Sequence, residues 1–219
     1  MKRFIIIGLG IFGSGVAETL YAEGHEVIAI DVKEEHVNRI ASHVTRAVVG
    51  DARQVDILEK VGARGANTGV ISTGDDLSAS ILAAMALRDL KVREIYVKVI
   101  SFDHARIMAK IGVTETVFPE RESSVNLAVR LIHSQAVLNY YRIGNGLSLQ
   151  EMAVPVRWEG KTLRALQLPT HYRVSVVAIH DVLMDQMIPV PDPDMPLLDT
   201  HTLVLTGSET NLARVARID

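Results

Sequence analysis

Phe4-Ile5-Ile6-Ile7-Gly8-Leu9-Gly10-Ile11-Phe12-Gly13 decides how the rest of this chain is read. A short apolar run suits a buried strand, and the glycines that follow it without a gap have the spacing G-x-G-x-x-G. Ser14-Gly15-Val16-Ala17-Glu18-Thr19-Leu20 then reads as the helix that the glycines open. Each glycine has a physical task in such a motif: a tight turn, close approach of backbone to a pyrophosphate, and close packing of helix on strand. The helix start adds free N–H groups and a positive dipole end. Alone the hexapeptide is weak, because glycine-rich turns are common. Val27-Ile28-Ala29-Ile30-Asp31 strengthens it, being a second apolar run whose acid stands eighteen residues after Gly13. A carboxylate there can accept both ribose hydroxyls of an adenine nucleotide and would repel a 2′-phosphate. Gly8, Gly10, Ile11, Phe12 and Gly13 are therefore candidate nucleotide-binding residues. Asp31, with Val32 and Lys33 directly after it, joins them.

Outward from this motif, strand and helix patterns alternate. Helices are predicted over 34–41, 55–61, 77–90 and 103–111, and further strands over 46–49, 69–73, 95–100 and 116–118. The 77–90 helix has Asp76 or Ser78 as its cap. Six strands with intervening helices predict an α/β fold, a Rossmann-like, doubly wound parallel sheet with right-handed crossovers. Ligands of such sheets lie beyond the carboxyl ends of the strands. That rule adds Asp51, Ala52, Thr73, Gly74, Asp75 and Glu120 to the candidate rim. Asp51 reads equally as a neighbour of the adenine or as a helix N-cap. Lys98 is either a cation facing phosphate or a snorkelling edge residue. Phe12 reads as core packing and as a wall near the phosphates.

The stretch 123–140 has apolar residues at Val125, Leu127, Ala128, Leu131, Ile132, Val137 and Leu138, and a long helix is predicted over it. Its apolar face is too broad for a solvated linker, which predicts a contact with another subunit or between domains. Gly144-Asn145-Gly146 punctuates the chain, and shorter β-rich segments follow at 152–156, 174–179 and 203–206, with a helix over 162–168. The organisation expected is a nucleotide-binding domain over 1–121, a crossover helix over 122–143 and a small α+β domain over 144–219. Pro191-Asp192-Pro193-Asp194 reads as an exposed turn.

Composition narrows the function classes. The 219 residues carry a net charge of −3 without a basic cluster, which argues against nucleic-acid binding. Without cysteine there is no disulfide, thiolate metal site or cysteine nucleophile. The eight histidines are scattered; His36 and His43 read as solvated positions on one helix. Met1-Lys2-Arg3 before an apolar stretch has a superficial likeness to a signal peptide, but the glycine spacing explains the same residues better. No apolar run is long enough to span a bilayer, so the chain is expected in the cytoplasm.

The order of these elements resembles the RCK (regulator of potassium conductance) family, in particular the soluble regulatory subunits of Ktr- and Trk-type potassium uptake systems. The resemblance rests on 7–13, 27–31, 82–90, Val97-Lys98, Lys110-Ile111-Gly112 and Phe118-Pro119-Glu120-Arg121, and continues through 137–140, Gly160-Lys161-Thr162-Leu163 and 176–179. Gly160-Lys161-Thr162 is not a phosphate loop, because the remaining glycines of that motif are absent.

What the resemblance implies is a ligand-gated regulator and not an enzyme. N-terminal lobes would pair as homodimers and assemble as a ring, often octameric, against the cytoplasmic face of a separate membrane potassium channel or transporter. Nucleotide would change the shape of that ring. Glu120 would be an acid facing the nucleotide, with a divalent cation between them as a further expectation. His171, Tyr172 and Arg173 read as a solvated turn or as the lining of a second small-molecule site. Ile11 stands where ATP-responsive members usually carry arginine, Asp75-Asp76 where small uncharged residues are common, and Ser123-Ser124 where Met-Gly is common. These departures bring ADP, AMP and NAD(H) forward beside ATP. The rival classes are an NAD-dependent oxidoreductase with a small C-terminal domain, which lacks an evident catalytic constellation in the second half, and a nucleotide-responsive repressor, which lacks a basic helix.

Overall fold

The computed structural model describes residues 1–132, 137–144 and 146–218, which fall into two compact units dividing between Pro119 and Glu120. In the first, strands β1 (Arg3–Ile7), β2 (Glu26–Asp31), β3 (Arg46–Val49), β4 (Thr68–Ile71), β5 (Glu94–Lys98) and β6 (Glu115–Val117) form one parallel sheet. Its order is β3-β2-β1-β4-β5-β6, so the winding reverses between β1 and β4. The crossovers contain helices α1 (Ile11–Ala22), α2 (Glu34–Ile40), α3 (Val55–Lys60), α4 (Leu77–Asp89) and α5 (Phe102–Ile111).

Both faces of this sheet are covered, which is why its strands read as unbroken apolar runs. Ile5, Ile7, Ile28, Ile30 and Leu87 pack in one cluster; Ile6, Val27, Ala29 and Val37 pack in another. β4 and β5 end at Ile71 and Lys98, two residues before the predicted ends, so Thr73 lies in the loop and not in the strand. Asp76 is the cap of α4, accepting from the Ala79 N–H at 2.8 Å and from the Ser78 hydroxyl at 2.6 Å.

The second unit opens with α6 (Pro119–Ile132) and builds an antiparallel sheet from β7 (Val137–Gly144), β8 (Leu147–Ala153), β9 (Val174–Asp181), β10 (Gln186–Pro189) and β11 (His201–Ser208). The order is β10-β9-β11-β8-β7. Short helices α7 (Leu163–Leu166) and α8 (Leu168–Tyr172) precede β9, and α9 (Glu209–Val215) follows β11. Met152, Trp158, Leu168, Ile179, Leu203, Leu205 and Leu212 make its core.

One expectation fails here. The helix predicted over 123–140 covers only its first part; residues 137–144 are a strand, so the second sheet starts before residue 144. Residues 133–136 lie outside the described residues. The cause is local. The register of β7 on β8 shifts between Val137 and Asn139, and this irregularity turns both Val137 and Tyr140 inward, 5% and 2% exposed. The predicted helical face counted Val137 and Leu138 together, but neighbours on a strand face opposite sides, and Leu138 is 38% exposed. The helix predicted over 162–168 is two short helices. Thr162 caps the first, accepting from the Ala165 N–H at 3.2 Å, which is the role of the Gly-Lys-Thr turn.

Candidate nucleotide-binding site

The glycine loop sits at the carboxyl end of β1, beside the reversal of strand order. The Gly8 N–H donates to the Ile30 carbonyl at 2.8 Å, and the Ser72 N–H to the Ile7 carbonyl at 2.7 Å, tying the loop to both neighbouring strands. Gly8 has φ +87, and a Cβ on it would lie 2.1 Å from the Ser72 carbonyl oxygen. A Cβ on Gly13 would lie 1.9 Å from the Gly8 carbonyl oxygen. These two glycines are required by the fold itself.

Gly10 is different. Its backbone is ordinary extended chain, φ −70 and ψ −173, and a Cβ on it would meet nothing within 4 Å. It is also the N-cap of α1, without a side chain to cap the first turn. An uncapped twelve-residue helix therefore starts facing open space, its first N–H groups without helical acceptors. That arrangement fits a pyrophosphate, which needs both the room and the donors. Ile11 follows, 98% exposed, while Phe12 is half-buried against the cluster of Ile6 and Leu9.

Asp31 ends β2 with its side chain only 9% exposed. Its Oδ2 accepts from the Leu9 N–H at 2.6 Å and faces His36 Nδ1 at 3.0 Å; its Oδ1 accepts from the Lys33 N–H at 2.8 Å. Burial pushes this carboxyl up, but the hydrogen bonds from Leu9, Lys33 and His36 outweigh it and hold the group below its usual range. Asp31 thus stays ionised beside the glycine loop. His36 is not the solvated position the sequence suggested. It is half-buried on Asp31, and His43 lies beyond the end of α2 in a turn of 3-10 helix, so the two do not share a helix.

Asp51 is not a helix N-cap: Gln54 occupies that position in α3. The Arg53 guanidinium grips the Asp51 carboxylate instead, Nε to Oδ1 at 2.9 Å and Nη2 to Oδ2 at 2.7 Å, and holds its pKa down. Ala52, 7% exposed, joins the core cluster of Ile30 and Leu58. Thr73, Gly74 and Asp75 form the loop between β4 and α4, Gly74 with φ +65. The Thr73 hydroxyl donates to the Asp76 carbonyl at 3.2 Å. Val32 is 62% exposed, and Lys33 is the N-cap of α2. Lys98 is the last residue of β5, half-buried.

Gly8 to Gly13, Asp31, Asp51-Ala52, Thr73 to Asp75 and Lys98 therefore all belong to the carboxyl ends of the parallel strands. Glu120 belongs to another element, the first turn of α6 in the second unit. Sequence reasoning missed His36 and Arg53. A basic residue two positions after a loop aspartate, or one turn into the following helix, is the signal that was available.

In the second unit, Tyr172 packs edge-on against Trp158, ring centroids 6.0 Å apart, with the Arg214 guanidinium 5.1 Å from its ring centre. The Arg214 Nη2 also donates to the His171 carbonyl, which ties this stretch to α9. His171 and Arg173 are exposed. Asp194 takes two hydrogen bonds from Arg164 at 2.6 and 2.9 Å, consistent with an exposed turn.

Comparison with known proteins agrees with the fold. Residues 4–119 match the TrkA-N domain and residues 149–218 the TrkA-C domain. The Ktr system potassium uptake protein C of Bacillus subtilis is 32% identical over 213 residues, 97% of this chain and 95% of that protein. The GsuK channel bound to NAD shares the fold at a TM-score of 0.57 and 23% identity, over 97% of this chain and 37% of the channel chain. The AMP-bound C-terminal domain of Kef from Shewanella denitrificans aligns at a TM-score of 0.52 and 27% identity, over 59% of this chain and 79% of that one. With both domain models matched in order along the chain and a relative 32% identical over nearly its whole length, the chain belongs to the RCK family of TrkA-N and TrkA-C domain proteins, which includes the Ktr potassium uptake proteins.

Proposed function

We propose that this chain is a cytoplasmic, nucleotide-binding regulatory subunit of a membrane potassium transporter, and that it acts by binding and not by catalysis. The observation that carries the reading is Gly10: among the described residues no atom crowds it and its backbone is ordinary, and open space for a ligand at an uncapped helix start suits a glycine there. The ligand is an adenine nucleotide. Asp31 receives the ribose, the first turn of α1 receives the phosphates, and Ala52 borders the base. ADP, AMP or NAD(H) suit the site at least as well as ATP, because Ile11 puts an exposed apolar side chain at the head of α1 where a cation would serve a terminal phosphate. A divalent cation beside the phosphates would take most of its ligands from nucleotide and water, since no group of three or more His, Asp or Glu suited to a metal occurs among the described residues.

The subunit works as homodimers assembled into an octameric ring on the transporter. Supporting this, Leu127, Leu131 and Ile132 on α6 are 53%, 77% and 78% exposed in the single chain. Large apolar side chains left exposed along one helix fit a contact with another protein. No described helix is long and apolar enough to cross a membrane, so the ion path belongs to the partner. Nucleotide can shift the ring only if it binds the two ring states with different affinity.

The test is reconstitution with the cognate transporter in liposomes. Potassium flux should depend on this protein, change with nucleotide, and lose its nucleotide response in Asp31→Ala. Flux indifferent to the protein under every nucleotide overturns the assignment.

A further inference from the structure

Asp31 is a crowded acceptor. An ionised carboxylate offers two oxygens and about four lone-pair positions. Oδ2 already serves two donors, the Leu9 N–H at 2.6 Å and His36 Nδ1 at 3.0 Å. Oδ1 serves the Lys33 N–H at 2.8 Å, which leaves it a single vacancy. A ribose held by both hydroxyls needs two acceptor positions, one more than is open.

The three donors are not equivalent. The Leu9 N–H is fixed between Gly8 and Gly10 in the loop that the β-strands pin, and the Lys33 N–H is fixed at the start of α2. Neither can leave without unmaking the turn that carries it. His36 is a side chain, 23% exposed, and two torsions move its ring. The ring nitrogen facing a carboxylate must carry the hydrogen, since the carboxylate has none to give. The imidazole therefore sits on Asp31 as a donor where a ribose hydroxyl would sit as a donor.

We propose that His36 is a specificity-determining residue of the nucleotide site: it holds the acceptor position on Asp31 Oδ2 that the second ribose hydroxyl requires, and so limits what the site gains from ribose. The inference rests on the proposed nucleotide site and goes further than it. The carboxylate rewards a ribose by one hydroxyl while His36 stays, and by two only when the imidazole is displaced.

The experiment is calorimetric titration of the full chain, as wild type, His36→Ala and His36→Gln, with ADP and with 2′,3′-dideoxy-ADP. In wild type the preference for ADP should be small. His36→Ala frees the acceptor, and the ADP to dideoxy-ADP affinity ratio should rise about three- to tenfold, the worth of one hydrogen bond. His36→Gln restores an N–H donor and should return the ratio toward wild type. A ratio unchanged or lowered in His36→Ala overturns the proposal, because the imidazole would then not compete with ribose. Absence of binding by either nucleotide to all three proteins overturns the site itself, and this inference with it.

Discussion

The first unit is tightest where backbone passes backbone at a turn, whereas the second is stitched across its sheet by side chains. The turn after β1 leaves room for nothing beyond hydrogen at Gly8 and Gly13. The sheet of the second unit instead carries a polar row. Glu151 accepts from Asn139 at 2.7 Å and from Thr202 at 2.7 Å, joining β7, β8 and β11, and the Tyr140 hydroxyl donates to Ser148 at 2.8 Å. The difference follows from sheet type. A parallel sheet covered on both faces leaves its polar chemistry to the strand ends, which is where the candidate ligand site lies. An antiparallel sheet need not be covered on both faces and can hold polar pairs across its strands.

Trp158, 4% exposed and packed on Tyr172 in the second unit, should cost about 3–5 kcal/mol of that unit's stability as Trp158→Ala. Unfolding followed by near-ultraviolet circular dichroism should show the loss, while nucleotide binding by the first unit persists. Loss of both together would mean that the two units do not stand apart energetically.

Within the first unit the glycines should separate into two kinds. Gly13→Ala drives a methyl into a backbone carbonyl and should destabilise by about 3 kcal/mol. Gly10→Ala should change stability by about 1 kcal/mol or less, since Ala is only a poorer N-cap than Gly. Yet Gly10→Ala should remove the rise in Tm produced by ADP. Scanning calorimetry with and without ADP checks both, and equal behaviour of the two variants would erase the distinction.

The smallest effect expected is a pH dependence centred on His104, 1% exposed between α5 and α4. Burial pushes its pKa down, so the folded state resists protonation. Its stabilising contribution is complete above the usual imidazole value of about 6.5 and is lost as pH falls through the lowered folded value. Tm should fall on acidification across that window and fall less in His104→Phe. A pH profile identical in the two proteins would remove His104 from the account.

The first unit was legible because its signals are local. Ile5-Ile6-Ile7 before Gly8, and Ile28-Ala29-Ile30 before Asp31, announce buried strands and the turn that each feeds. The parallel sheet, and a rim at the carboxyl ends of its strands, followed from general rules for alternating strands and helices. The occupants of the rim carboxylates were not legible. Whether Asp51 caps a helix or takes Arg53, and whether Asp31 stands open or holds His36, depends on side-chain direction and not on spacing. In the second unit, Val137 and Leu138 misled because they extend the apolar pattern of α6, although on the strand only Val137 is buried. β10 went unread because Gln186-Met187-Ile188-Pro189 pairs with β9 at an edge, where burial leaves little alternation to see.

The position of β11 has a consequence for the order in which the protein is made. Its residues, His201–Ser208, lie between β8 and β9 in the sheet although they follow both in the chain. While the chain emerges N-terminus first, all six strands of the parallel sheet are available before α6 has been synthesised. The antiparallel unit, by contrast, lacks its middle until residues 201–208 arrive. Until then β8 and β9 each present an unpaired edge, the kind of surface that recruits strands from other chains. Nascent chains interrupted before residue 201 should therefore carry a finished first unit and an adhesive second one, so the need for a chaperone should be greatest between the synthesis of β9 and the arrival of β11.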